Sequence, residues 1–338
     1  MLTAPAFWGR PPGFAAELLA PVGAAWDAAG RLRRALVRPF VGPVPVICVG
    51  NLVAGGAGKT PVVMALAAWL GSRGQRVHVV TRGYGGRLAG PVRVDRAIHT
   101  AAAVGDEALL VARHAPCWVA RNRAAGIVAA AADGAETILL DDGFQNPRVA
   151  KTLGLIVVDA GYGFGNGRVI PAGPLRENLR HGLGRADGIV LLAAANEPSV
   201  PVDIAAGRPI APATLRPVAG ERLAGRRVLA FAGIGRPEKF FAMLRGLGAE
   251  LAGTRAFPDH HPFAAREIAA LRRTASRQDA VLVTTAKDFL RLPRSMRDGI
   301  EVLEIEIHWP DPAALASLLA PIAVTEIADG GEPDRARR

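Results

Sequence analysis

Three features of this 338-residue sequence predict an α/β fold: a mostly parallel sheet with helices on both faces, followed by a second, smaller α/β domain. Apolar strand-like runs alternate with alanine-rich helical stretches through the first 200 or so residues. After an interval rich in Pro, Gly and Arg at 198–226, which reads as a linker or a pair of connecting strands, the alternation begins again. The first run also feeds a glycine-rich turn and then a helix, an order of elements that holds phosphate.

That first run, residues 44–49, is apolar throughout, as a strand covered on both faces must be. It leads through Gly50 into Gly55-Gly56-Ala57-Gly58-Lys59-Thr60, and a helix rich in Ala, Leu and Met runs from Thr60 to Gly71. Glycines permit positive φ and close backbone approach, so main-chain N–H groups can wrap phosphate oxygens while Lys59 adds charge and the Thr60 hydroxyl reaches Mg²⁺. Val53 stands where the usual spacing of a P-loop has its first glycine, but strand, loop and helix fall in the required order. A nucleoside triphosphate, ATP or GTP, is the expected ligand, and the fold expected is P-loop NTPase-like.

Further strands are predicted at 76–81, 117–120, 137–140, 155–158 and 189–192, with helices at 106–114 and 123–132 between them. In the second domain residues 228–231, 251–257, 280–284 and 302–307 read as strands, and 238–247 and 262–276 as helices. The organisation is an amphipathic segment at 1–40, a P-loop domain at 41–215, a smaller α/β domain at 216–326 and a polar tail at 327–338 predicted to be disordered.

Half of the residues are hydrophobic, enough for a large core. The formal net charge of +11 suits an acidic substrate, an anionic membrane surface or nucleic acid. The basic residues are nearly all arginine, scattered and without interleaved aromatics, which argues against a nucleic-acid partner. Cys48 and Cys117 sit in apolar runs and read as buried thiols of a reducing compartment. No stretch is long and uncharged enough to span a bilayer, and no secretory leader is present. Phe14, Leu18, Val22 and Trp26 recur at helical spacing ahead of Arg31, Arg33, Arg34 and Arg38. This stripe suits either a membrane interface or packing on the chain's own domain.

Several polar clusters carry candidate chemistry. The strand at 137–140 ends in Asp141-Asp142, the place where a P-loop enzyme keeps the acid that holds Mg²⁺. Asp106, after Gly105, opens a helix as an N-cap or accepts a proton from an attacking hydroxyl. His260-His261 stand in a turn of the second domain, where imidazole can shuttle a proton. Arg82-Gly83-Tyr84-Gly85-Gly86 and Pro171-Ala172-Gly173-Pro174-Leu175-Arg176-Glu177 are loops able to grip a polar headgroup.

In their joint order these motifs resemble the tetraacyldisaccharide 4'-kinase family of lipid A biosynthesis, with Val104-Gly105-Asp106-Glu107, Asp141-Asp142-Gly143-Phe144-Gln145, Phe231-Ala232-Gly233-Ile234-Gly235, Phe257-Pro258-Asp259-His260 and Lys287-Asp288 adding to the match. The resemblance implies transfer of the γ-phosphate of ATP, with Mg²⁺, to the 4'-hydroxyl of an acylated glucosamine disaccharide 1-phosphate. It implies Lys59 and Thr60 on phosphate and metal, Asp141 and Asp142 at the metal, and Asp106 as the catalytic base, paired with His260 in a dyad that activates the hydroxyl. Arg82, Tyr84, Arg123, Gln145, Arg176 and Glu177 become candidates for the sugar and its phosphate. After Phe144-Gln145 the family usually has histidine, and this chain has Asn146. The resemblance also implies that residues 14–26 dock peripherally at the cytoplasmic face of the inner membrane, with no obligate protein partner. Because Asp106 and His260 belong to different domains, closure of the domains is expected to assemble them. A membrane-recruited switch ATPase is the competing reading, but such proteins carry a second lysine early in the loop, where this chain has Ala54.

Overall fold

The computed structural model describes residues 5–56, 58–193 and 207–322. Ala57 of the glycine-rich loop, part of the Pro/Gly/Arg interval and the predicted disordered tail lie outside the described residues. Chain order in the first part is α1 (Phe14–Leu36), β1 (Val46–Gly50), α2 (Lys59–Gly71), β2 (Val77–Thr81), β3 (Val92–Arg93), α3 (Ala101–Val104), α4 (Asp106–Val111), β4 (Cys117–Val119), α5 (Arg123–Ala132), β5 (Thr137–Asp141), β6 (Leu153–Asp159), α6 (Leu179–Gly184) and β7 (Gly188–Ala193). It continues with β8 (Ile210–Val218), β9 (Arg227–Ala232), α7 (Pro237–Gly246), β10 (Glu250–Ala256), α8 (Ala265–Arg277), β11 (Val281–Thr285), α9 (Ala286–Arg291), β12 (Ile300–His308) and α10 (Pro312–Leu319).

The described strands form one twelve-stranded sheet in the order β10-β9-β11-β12-β8-β7-β6-β1-β5-β2-β4-β3. Strands β7, β6, β1, β5, β2 and β4 are mutually parallel, and so are β10, β9, β11 and β12. The two parallel blocks are joined by an antiparallel pair, β8 with β12. Strand β8 pairs with β7 through Ile210–Thr214 and with β12 through Thr214–Val218. Strand β12 in turn pairs with β11 through residues 300–303 and with β8 through 304–308. This stagger lifts the second block beyond the carboxyl edge of the first and reverses it, so the carboxyl ends of both sets of strands face each other.

Alternation along the central strands fills both faces. Ile47 and Val49 enter one apolar layer with α2, while Val46 and Cys48 enter the other with Ile127 of α5. Cys48 and Cys117 are buried free thiols, that of Cys48 pushed up by burial to about 12. The second block has its own two layers, one under Phe240 and Phe241 of α7 and one under Ile268 and Leu271 of α8. Strand β8 realises one of the connecting strands that the interval 198–226 allows as the alternative to a linker. Its burial fades past Thr214, with Arg216 and Val218 exposed. The predicted helix 106–114 ends at Val111, and α8 starts at Ala265, later than predicted, where Glu267 Oε2 accepts the Ala264 N–H at 2.8 Å.

Helix α1 lies on the first block by its small face. A Cβ on Gly23 would meet Val169 O at 2.8 Å, and buried Asp27 accepts the Asn178 N–H at 2.8 Å and pairs with His181 at 3.2 Å. Phe14, Leu18, Val22 and Trp26 stay on the outer face, Phe14 at 84% exposure. Among the described residues no helix is long and apolar enough to cross a membrane.

Two glycine contacts set the floor of the site. A Cβ on Gly105, whose φ is +90°, would lie 2.5 Å from Tyr84 O, and one on Gly86 would lie 2.7 Å from Gly105 N. The Arg82–Gly86 loop therefore packs backbone to backbone against the start of α4. Gly105→Ala is expected to lower stability by about 1–3 kcal/mol, read from the midpoint of urea unfolding, whereas Gly71→Ala at the open end of α2 is expected to leave it unchanged or raise it.

Candidate active site

The facing carboxyl ends enclose a cavity of about 700 Å³. From the first block come the glycine-rich loop after β1, the Arg82–Gly86 loop after β2, and Asp141-Asp142 at the end of β5. From the second come Asp259, His260 and Lys287. The lobes touch beside the loop as well: a Cβ on Gly235 would lie 3.4 Å from Gly56 N, and buried Asp159 at the end of β6 binds Arg236 at 2.8 Å and Lys239 at 2.7 Å.

Gly55 and Gly58 have φ of +106° and +77°, so the loop turns as its glycines allow, and Gly58 caps α2. Lys59 opens that helix and sends Nζ to Asn51 Oδ1 at 3.2 Å, with Asp142 at 3.8 Å. The Thr60 hydroxyl donates to Asp141 Oδ2 at 3.1 Å. Asp141 Oδ1 is buried without a hydrogen-bond partner. Burial first, then the charge of Glu107, hold this carboxyl up at about 7 against the pull of Lys59. A hydroxyl, a buried carboxylate with an unmatched oxygen, and a second carboxylate alongside fit a hard divalent cation that completes its shell with water and phosphate oxygens. Among the described residues no cluster of His, Cys, Asp and Glu is rich enough to ligate a metal by itself. Asp142, at φ +53°, is held by Arg176 at 3.0 Å. Burial alone would raise its carboxyl, but Lys59 and Arg176 outweigh that and keep it below its ordinary value.

Across the cavity His260, also at positive φ (57°), places Nδ1 3.1 Å from Asp106 Oδ2. Asp106 is 3% exposed, its Oδ1 accepts the Glu107 N–H at 2.9 Å, and Arg291 Nε forms an ion pair with Oδ2 at 3.2 Å. Burial works to raise this carboxyl, but the His260 hydrogen bond and the charges of Lys287, His260 and Arg291 outweigh it and hold it below its usual value. Asp106 lies one layer behind the cavity wall, and His260 lies in it. The Tyr84 ring is tilted against that of His260, with centroids 5.1 Å apart.

Of the other residues singled out from sequence, Arg82, Tyr84, Arg123, Gln145 and Arg176 line the cavity together with Asn146. Arg123, first residue of α5, is buried, donates to Ala120 O at 2.9 Å, and has an Nε without a partner. Gln145 donates to Asn51 O at 2.8 Å. Glu177 is not in the wall: it is buried behind Gln145, paired with Arg185 at 2.5 Å and Arg34 at 3.4 Å. Sequence reasoning gave no role to Asn51, Lys287 or Arg291. The spacing of Lys287 and Arg291, one helical turn apart beside Asp288, was the available signal.

A main-chain cradle for phosphate facing a paired carboxylate and imidazole, across a polar cavity closed by two lobes, belongs to the class of P-loop kinases. Comparison with known proteins narrows the class. The family described as tetraacyldisaccharide-1-P 4'-kinase matches residues 15–323. A tetraacyldisaccharide 4'-kinase of Rhodospirillum centenum is 54% identical over 328 residues, covering 95% of this chain and 97% of that protein. One from Methylobacterium sp. strain 4-46 is 52% identical, covering 93% and 96%. The crystal structure of LpxK from Aquifex aeolicus in complex with ATP superposes with a TM-score of 0.71 at 26% identity, over 91% of this chain and 99% of that one. The chain belongs to the tetraacyldisaccharide 4'-kinase family, kinases of lipid A biosynthesis.

The direction of the Asp106 shift fixes a pH dependence. A carboxyl held below its unfolded value adds stability that is present above the ordinary carboxylate range and lost as pH falls through the folded value. Asp106→Asn is expected to cost about 1–3 kcal/mol at pH 7, and its urea midpoint is expected to begin approaching that of the wild type as pH falls through about 4 and to meet it only below the lowered folded value of Asp106.

Proposed function

We propose that this chain transfers the γ-phosphate of ATP to the 4'-hydroxyl of a lipid-linked glucosamine disaccharide 1-phosphate, with Asp106 and His260 together taking the hydroxyl proton. The observation that carries this reading is the 3.1 Å contact between these side chains, one from each lobe, opposite the glycine-rich loop in one cavity. The names of the relatives support the acceptor, and the ATP complex of the structural neighbour supports the donor.

In this reading the loop amides and Lys59 bind the β- and γ-phosphates, while Arg176 orients Asp142. Thr60, Asp141 and Asp142 would hold Mg²⁺, which when bound supplies neutralisation of phosphate charge. The acceptor oxygen forms its bond to the γ-phosphorus as the bond to the β,γ-bridging oxygen breaks, ADP leaves with that electron pair, and the hydroxyl proton passes to the dyad. Positioning and charge dominate, because the protein forms no covalent bond to the substrate. Arg82, Tyr84, Arg123, Gln145 and Arg176 line the cavity and would grip the sugar and its phosphate. The two bodies follow the bounds 41–215 and 216–326 with one exception: α10 packs Leu315, Leu318 and Leu319 into the core of the first block and would move with it.

The test is transfer of label from γ-labelled ATP to a purified disaccharide 1-phosphate lipid in the presence of Mg²⁺. Labelled lipid is expected, and ATP hydrolysis without it would favour a switch ATPase instead. Asp106→Ala is expected to lower kcat about 10²–10⁴-fold, and near-normal turnover at saturating substrate would remove the dyad.

The outer face of α1 and its trailing arginines support peripheral docking at the cytoplasmic face of the inner membrane. The double variant Phe14→Ser, Leu18→Ser is expected to weaken sedimentation with vesicles containing anionic lipid by about 10-fold or more. Unchanged binding would remove α1 as the docking element.

A further inference from the structure

Lys287 has no assigned part in the reaction, yet it touches the dyad directly. Its Nζ lies 3.3 Å from His260 Nε2, 3.1 Å from Glu107 Oε1 and 3.7 Å from Asp259 Oδ1. Burial alone would lower its pKa, but the carboxylates of Glu107, Asp106 and Asp259 outweigh burial and raise it. The group is therefore an ammonium, which has N–H donors and no acceptor. Against such a neighbour His260 Nε2 can only accept.

The consequence runs through the ring. If Nε2 accepts, the proton of the neutral imidazole sits on Nδ1, where it donates to Asp106 Oδ2. The opposite tautomer would set an N–H against the ammonium and a lone pair against the carboxylate, and both contacts are repulsive. Arg291, one turn further along α9, forms an ion pair with the same Asp106 oxygen without a hydrogen bond to it, and is itself anchored on Asp288, which also accepts the Gly233 N–H at 3.0 Å. One short helix thus grips both members of the dyad, the carboxylate through Arg291 and the imidazole through Lys287. His260 and Lys287 line the cavity while Asp106 stands behind them.

We propose that Lys287 is a positioning residue of the phosphoryl transfer: its ammonium fixes His260 with the proton on Nδ1, so that the acceptor hydroxyl's proton enters the dyad at Nε2. This rests on the kinase reading of the site. The hydroxyl loses the proton as its oxygen bonds to phosphorus, and Nε2 gains it, leaving an imidazolium between the Asp106 carboxylate and the Lys287 ammonium. Glu107 and Asp259 are already within reach of Nζ, so the ammonium has partners when it yields Nε2.

The groups facing His260 are Asp106 and Glu107 from α4, Lys287 and Arg291 from α9, Asp259 from its own turn and Tyr84 from the loop after β2. Removing the ammonium takes away the nearest cation and releases the Glu107 and Asp259 carboxylates, and both changes favour imidazolium at higher pH. The acid limb of kcat then moves up in pH.

The experiment is ¹⁵N NMR of imidazole nitrogens in the full-length protein, with His260 assigned by its loss in His260→Gln, for the wild type, Lys287→Arg and Lys287→Met. The expected result is Nδ1–H in the wild type and in Lys287→Arg, whose guanidinium is also donor-only, and a measurable rise of the Nε2–H fraction in Lys287→Met, where only the Asp106 contact still opposes it. In the transfer assay Lys287→Met is expected to lower kcat at pH 7 by about 10-fold or more with its acid limb moved up, while KM for ATP stays within about twofold and Lys287→Arg recovers most of the rate. An Nε2–H tautomer in the wild type overturns the proposal, and so does a Lys287→Met chain with the wild-type tautomer ratio, whatever its rate. If Lys287→Met does not fold, Lys287→Gln, whose amide oxygen can accept from Nε2–H, takes its place in the same measurement. The tautomer is read without turnover, so failure of the kinase reading would show separately, as a wild-type protein that labels no lipid.

Discussion

The antiparallel pairing of β8 with β12 is the constraint on which the site depends. In a parallel sheet all strand carboxyl ends lie along one edge, and ligands gather there. A single parallel sheet would place the loops after β9, β10 and β11 beside the glycine-rich loop rather than opposite it. Reversing direction at one pair, with each strand offset by half its length, turns two parallel blocks into opposed jaws. The phosphate cradle then belongs to one jaw, and the imidazole with its two cations belongs to the other. The link is a hydrogen-bonded ribbon, which fixes the relative orientation of the jaws more firmly than a loose linker while leaving the ribbon able to flex.

Electrostatics follows from that geometry. Eight cationic and four acidic side chains line the cavity, so part of the chain's basic excess is gathered where an acidic substrate has to bind. The acids are not scattered among the cations. Asp141 and Asp142 stand beside Lys59 at the cradle, and Glu107 and Asp259 stand beside Lys287 at the dyad. Two carboxylates of similar burial behave in opposite ways because of their neighbours. Asp141 faces Glu107 and a single hydroxyl donor, and is pushed up to about 7, whereas Asp106 faces His260, Lys287 and Arg291 and is pushed down. A cation bound at the first would reverse its preference, while the second is ionised by protein groups alone. The difference matches their separate proposed duties, one at phosphate and one at a proton.

Much of this was legible in the sequence, and the reason is local. The run 44–49 had to be a central strand because it has no polar face, and Gly55 to Thr60 had to be a turn into a helix because only glycine takes the φ values found at Gly55 and Gly58 without strain. Asp141 and Asp142 followed from their place at a strand end. What stayed hidden depends on contacts across the chain. Glu177 looks like Arg176 in sequence, yet it turns inward to Arg185 and Arg34 while Arg176 faces the cavity. Strand β8 could be read only as one alternative to a linker, because Arg216 and Pro217 interrupt its apolar run and its partner β12 is more than 80 residues away. Periodicity reports burial, and a connecting ribbon is only half buried. Lys287 stood in a recognised motif without a role, since only the fold brings it within reach of His260.

The family relationship selects among chemistries that the geometry leaves open. A glycine-rich loop with nearby acids serves switch ATPases as well as kinases, and what separates the two is whether a proton acceptor stands where an alcohol could meet the γ-phosphate. Here the second lobe sets the His260 imidazole in the cavity wall, the acceptor that the proposed reaction needs. A protein that only hydrolysed ATP would need to order a water molecule, for which a single polar side chain suffices. This chain instead carries a carboxylate braced by Arg291, an imidazole held between that carboxylate and an ammonium, and a tyrosine ring against the imidazole. Asp106 and Tyr84 come from the first block, His260, Lys287 and Arg291 from the second, and the antiparallel pairing of β8 with β12 is what sets the two groups face to face. A proton acceptor built from both blocks in this way suits an alcohol held between them better than a freely diffusing water, because neither block carries the complete set of groups alone.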